Sequence, residues 1–131
     1  MTFKLKIVTP HGIYLEKEVN MLNLRTTSGQ IGILAKHLPL ASAIEISEMN
    51  YLIGKERFKY AIGGGFVYVS SDDTTIIANS IESQEDIDLE RAKKARERAT
   101  NRLKSNDPEL DILRAEISLK KAINRIKVKE M

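Results

Sequence analysis

Few residues in this chain have the types and spacing that chemistry requires. Gly63-Gly64-Gly65 comes closest to a phosphate cradle. A phosphate loop needs a Lys-Ser/Thr pair and a helix whose free N–H groups stand behind the glycines. Phe66-Val67-Tyr68-Val69 follows instead and opens a strand, so the glycines read as a backbone bend or bulge. His11 and His37 lack a second ligand at metal spacing, and no metal site is expected. Ser70 and Ser71 have no base at a recognisable spacing. Cysteine is absent, which excludes disulfides, thiolate ligands and a cysteine nucleophile, and permits a reducing cytoplasm. No residue is expected to be catalytic, and the chain is not read as an enzyme.

What remains is charge. Arg91, Lys93, Lys94, Arg96, Arg98, Arg102 and Lys104 form a basic run with Glu97 as the one acid inside it. Three readings stay open: a solvated helix face, a surface for an acidic protein, or a nucleic-acid surface. The run contains no aromatic side chain on which a base could stack, which weighs against the third. Residues 1–84 hold eight basic and eight acidic side chains, so the whole net charge of +3 lies in the remainder.

The elements that must position these charges change character at Glu85-Asp86-Ile87-Asp88-Leu89-Glu90-Arg91-Ala92. Upstream, apolar residues alternate in short runs split by turns. Phe3, Leu5 and Ile7 mark a half-buried first strand, and Val19–Thr26, Ile31–Leu34 and Ala41–Ile46 read as further strands. Gly54-Lys55-Glu56 and Ser71-Asp72-Asp73 signal two hairpins. This spacing predicts an antiparallel β-sandwich or barrel over residues 1–84. Downstream, the period lengthens to about 3.6 and glycine disappears. Asp86 or Asp88 can cap a helix carrying Ala92, Ala95, Ala99 and Leu103 on one face. Asp107 and Pro108 suit the cap and first position of a second helix, with Ile112, Ala115, Leu119, Ala122 and Ile126 as its stripe. Leu113, Ile117 and Ile123 widen that stripe beyond what one Ala-faced helix covers, so it is expected to dock elsewhere too, on the sandwich or on another protein. Residues 85–131 are thus expected to form an antiparallel helical hairpin, and the fold class is α+β. No apolar run is long enough for a transmembrane helix, so no direct membrane insertion is expected.

Several stretches resemble one family together. Gly29-Gln30-Ile31-Gly32-Ile33-Leu34 followed by His37-Leu38-Pro39-Leu40 is similar to a signature of the ε subunits of F-type ATP synthases. Gly63–Val69 with Thr75-Ile76-Ile77-Ala78 resembles a second signature, and Asp86–Ala92 with Ala122-Ile123-Asn124-Arg125-Ile126 the helical part. The resemblance implies a ten-stranded sandwich and a mobile hairpin in the rotating central stalk, at the cytoplasmic face of a bacterial membrane. It implies contacts with the γ subunit and, through Gln30, His37, Leu38 and Leu40, with the c ring. It also implies that extended helices reach the acidic surface of the catalytic β subunits and brake ATP hydrolysis. No cofactor is required, but ATP is implied as a regulatory ligand of the folded hairpin. Its residues would be Glu82, Ile87, Asp88, Arg91, Ala92, Lys121 and Arg125. Lys121 and Arg125 lie one turn apart and supply cations for phosphate, and Asp88 a carboxylate for ribose or base donors. The other reading of that motif is a hinge cap with ion pairs along the helix. The rival to the whole assignment is a β-module that presents a basic hairpin to RNA or DNA. Three departures stand out: Gln30 where the family has Glu, Ala35-Lys36 where it has Pro-Gly, and Lys121 where ATP-binding relatives often have Arg.

Overall fold

A computed structural model describes all 131 residues. The chain separates into two compact units, Met1–Ser83 and Gln84–Met131. The first contains eight strands: β1 (Phe3–Thr9), β2 (Gly12–Val19), β3 (Met21–Thr26), β4 (Gly29–Ile33), β5 (Leu40–Ile53), β6 (Glu56–Val69), β7 (Asp73–Ala78) and β8 (Ile81–Ser83). The second contains α1 (Leu89–Lys104) and α2 (Ile112–Lys129).

The strands pair in the order β2-β1-β7-β6-β5-β3-β4, with β8 on β6. Pairing is antiparallel except between β1 and β7, which run parallel. These two strands are distant in sequence, so no tight turn forces them to oppose. β5 and β6 are each 14 residues long and serve both halves of the sandwich. The last part of β6 pairs with β7, while Tyr60–Ile62 pairs with β8. The C-terminal half of β5 carries most of the pairing with β3. The ten strands implied by the resemblance are therefore eight continuous ones. Gly63–Gly65 is the reason: it bends β6 without breaking the ladder. Ile46 still faces Gly63 and Ile44 still faces Gly65, while Gly64 and Gly65 take φ of 86° and 149°, a region that glycine tolerates and L-residues avoid.

The period-2 pattern explains the core. Phe3, Leu5, Ile7, Leu22, Leu24, Ile33, Met49, Tyr51, Ile62, Val67 and Ile76 point inward and are buried. Tyr51 stacks between Phe58 and Tyr60, with ring centroids 5.2 and 5.5 Å away, and its hydroxyl meets that of Tyr60 at 2.8 Å. Burial pushes the Tyr51 hydroxyl above its ordinary pKa, and the bond to Tyr60 pulls partly back.

The departure at Ala35-Lys36 has a visible cost. Lys36 is the one non-glycine residue with positive φ, at 63°, held by its N–H donating 3.0 Å to the Ser71 carbonyl. An L-residue there costs about 1–2 kcal/mol, and glycine would return about 0.5–1 of it through added freedom in the unfolded chain. Lys36→Gly is therefore expected to raise stability by about 0.5–1 kcal/mol, read as a higher urea midpoint. A lower midpoint would contradict the strain.

Candidate functional site: a basic groove between two helices

Each helix starts at an aspartate. Asp88 caps α1, its carboxylate accepting the Arg91 N–H at 3.1 Å. Asp111 caps α2 in the same way through Arg114 N–H at 3.0 Å. The expected start of α2 at Asp107-Pro108 is thus corrected by one turn. Asp107 instead closes a local turn, accepting from Glu109 N–H at 2.9 Å, while Leu110 N–H returns to its carbonyl.

The facing residues are small. Ala92 and Ala99 on α1 and Ala115 and Ala122 on α2 are buried, so the backbones come close. Between the helices lies a groove of about 300 Å³ lined by Ala95, Arg98, Ala99, Arg102, Ser118, Lys121 and Arg125. Arg98 and Arg102 are four residues apart on one helix, as are Lys121 and Arg125 on the other. Four cations thus line the groove in two rows, and no carboxylate is among its lining residues. Like charges at this spacing cost each helix a few tenths of a kcal/mol. A polyanion between the rows reverses that cost and accepts charge-assisted hydrogen bonds from both helices.

The groove gathers only part of the set expected to hold ATP. Lys121 and Arg125 line it. Asp88 and Arg91 do not, and the Asp88 carboxylate is engaged as a cap. Ile87 and Ala92 are buried. Glu82 lies half-buried on β8, in the other unit. Sequence reasoning did not single out Arg98, Arg102 and Ser118 for this site. The signal was available in part: Ala95 and Ala99 were placed on the shared face, and Arg98 and Arg102 each follow one of them by three positions.

A second feature lies on the sandwich. Gln30 is exposed on β4 opposite Arg25, and Leu38 is exposed in the loop after it, with His37 Nδ1 2.7 Å from the Leu38 carbonyl oxygen. Leu40 differs: it opens β5 opposite Val69 and packs against the core. Leu34, outside the expected set, is exposed beside them. Across the sheet, Ile13, Val8, Ile77 and Phe66 form one cross-strand row through β2, β1, β7 and β6. Tyr68 stacks on Phe66 at 6.3 Å. Ile13, Ile77, Phe66 and Tyr68 are exposed, an apolar face of the kind that marks a protein interface.

A β-sandwich joined to a two-helix hairpin, with cations gathered between the helices and an uncovered apolar sheet face, defines a binding module. The β-sandwich domain of the ATP synthase delta/epsilon chain matches residues 2–84, and the long α-helix domain of that chain matches residues 85–130. The chain belongs to the ATP synthase delta/epsilon family. It is 40% identical to the ATP synthase epsilon chain of Desulforamulus reducens over 98% of both chains. It is 41% identical to that of Bacillus cytotoxicus over 99% of this chain and 98% of the other. Among solved structures, it resembles a chain of the Euglena gracilis mitochondrial ATP synthase OSCP/F1/c-ring assembly. The TM-score is 0.82 at 25% identity, covering 94% of this chain and 78% of that one. A chain of the Tetrahymena thermophila mitochondrial ATP synthase central stalk and c-ring shares the fold, with a TM-score of 0.61 at 15% identity over 99% and 95% of the two chains.

Proposed function

We propose that the chain is the ε subunit of a bacterial F-type ATP synthase, a non-catalytic member of the central stalk at the cytoplasmic face of the membrane. In this reading its hairpin senses ATP and governs inhibition. The observation that carries the sensing role is the groove: two rows of cations, one from each helix, meet only while the helices lie side by side. A ligand shifts a conformational equilibrium only through differential affinity for its states. Extending α2 away from α1 separates Arg98 and Arg102 from Lys121 and Arg125, so ATP favours the compact form and withdraws the brake on hydrolysis. The apolar row Ile13–Val8–Ile77–Phe66 faces the γ subunit, and the exposed Leu34–Leu38 loop faces the c ring. The exposed Leu113, Ile117 and Ile123 of α2, together with its basic residues, are what the extended helix offers to the acidic surface of the catalytic subunits. A nucleic-acid role is disfavoured by the aromatic-free helices.

The test is reconstitution with a chain lacking residues 88–131. The truncated subunit is expected to assemble with γ and the c ring and to leave a coupled synthase whose ATPase is equally or more active. Failure to assemble, or a less active ATPase, would overturn this division of labour.

A further inference from the structure

The two helices are tied covalently at one end by the Ser105–Asp111 connection. At the other end no covalent link joins them, and polar contacts add to the packing of the buried alanines. There, residues just before α1 and the last turn of α2 exchange hydrogen bonds. Gln84 Nε2 donates to the Val128 carbonyl at 2.9 Å and to the Met131 carbonyl at 3.1 Å. In return, Lys129 Nζ donates to the carbonyls of Gln84 and Glu85 at 3.0 and 3.2 Å. All five residues belong to the same unit. The exchange is reciprocal. The glutamine adds a second donor to the Val128 carbonyl, which the Met131 N–H also reaches at 3.3 Å, and bonds the Met131 carbonyl past the helix end, while the lysine sets one charge against two carbonyl dipoles. None of these residues lines the groove.

We propose that this exchange is a clasp that holds the hairpin shut without nucleotide. The inference rests on the compact-to-extended reading of the hairpin given above, and adds a second determinant of that equilibrium outside the ATP groove. The cap bonds of Asp88 and Asp111 lie within each helix and survive extension. The four clasp bonds join residues 44 to 47 positions apart and break when α2 leaves α1. They are therefore specific to the compact state. Removing them lowers the fraction of binding-competent protein and raises the apparent Kd for ATP by that factor, although no groove residue changes.

The absence of native cysteine makes the test direct. Lys94→Cys and Ile123→Cys, both at exposed positions, take spin labels on the two helices of the full chain. Gln84→Ala with Lys129→Ala is expected to move the label distances to longer values in the absence of ATP, at unchanged helical circular dichroism. Lys129→Arg, which keeps a cationic donor, is expected to retain most of the short-distance population. The apparent Kd for ATP should rise about fivefold in the double alanine variant, with saturating ATP restoring the short distance. An unchanged distance distribution in the double alanine variant would overturn the clasp whether or not ATP binds. If the distances lengthen but ATP binds neither protein, the clasp stands and the nucleotide reading falls.

Discussion

Replacing Gly65 by alanine is expected to cost the sandwich about 4 kcal/mol, among the largest effects one methyl group can have. A Cβ at this position would press into the Ile77 carbonyl oxygen and crowd the Ala78 Cα on β7. Both obstacles are backbone, so neither can rotate away. The φ of 149° adds its own penalty for an L-residue. Gly64 separates the two contributions. Its φ of 86° is also left-handed, but its Cβ would approach no closer than 3.4 Å to the Ile44 carbonyl oxygen. Gly64→Ala is therefore expected to cost only about 1–2 kcal/mol. Urea unfolding of both variants checks this. Equal midpoints would show that the bend in β6 depends on φ alone and not on the approach of β7.

Neutralising the groove carries the largest expected effect on binding. Lys121→Ala combined with Arg125→Ala removes the whole α2 row. It is expected to abolish ATP binding at millimolar concentration while the caps at Asp88 and Asp111 keep both helices formed. Arg125→Ala alone should cost about 2 kcal/mol, the scale of a hydrogen bond to a charged group. Lys121→Arg should work in the opposite sense. The guanidinium presents a planar fork where the ammonium is a point charge, so binding should tighten by about 1 kcal/mol. Asp88→Ala behaves differently from the groove residues. Its carboxylate caps α1, so the substitution is expected to cost about 1 kcal/mol of helix stability and to weaken ATP binding only through that loss.

The contrast between Asp88 and Asp107 shows what a sequence can and cannot convey about this fold. Both aspartates precede an apolar-periodic run, and local cap chemistry makes each a fair helix start. Asp88 is one. Asp107 also accepts an N–H, that of Glu109 two residues on, as a cap does, but its turn is not continued and the helix starts from Asp111 instead. The triglycine was legible as a bend because a strand follows it, and it bends β6. That β5 and β6 run unbroken through both halves was not legible, since continuity there depends on pairing between distant residues. β8 was missed for the same reason: three residues carry no period, and pairing with Tyr60–Ile62 alone makes them a strand. Of the groove, the α2 row was legible through the family resemblance, and its one-turn spacing put both cations on one face. The α1 row was hidden among seven basic residues until the alignment of the two helices selected Arg98 and Arg102.

The central claim is that ATP binds between the helices of the compact hairpin and thereby selects that state. Calorimetric titration of the isolated full-length chain with ATP tests it most directly. A single saturable isotherm is predicted for the parent chain, tighter for Lys121→Arg and lost for Lys121→Ala with Arg125→Ala. Silence at millimolar ATP from both the parent and Lys121→Arg would contradict the claim. Asp88 would then have no role beyond capping α1, and the groove would be a solvated basic surface.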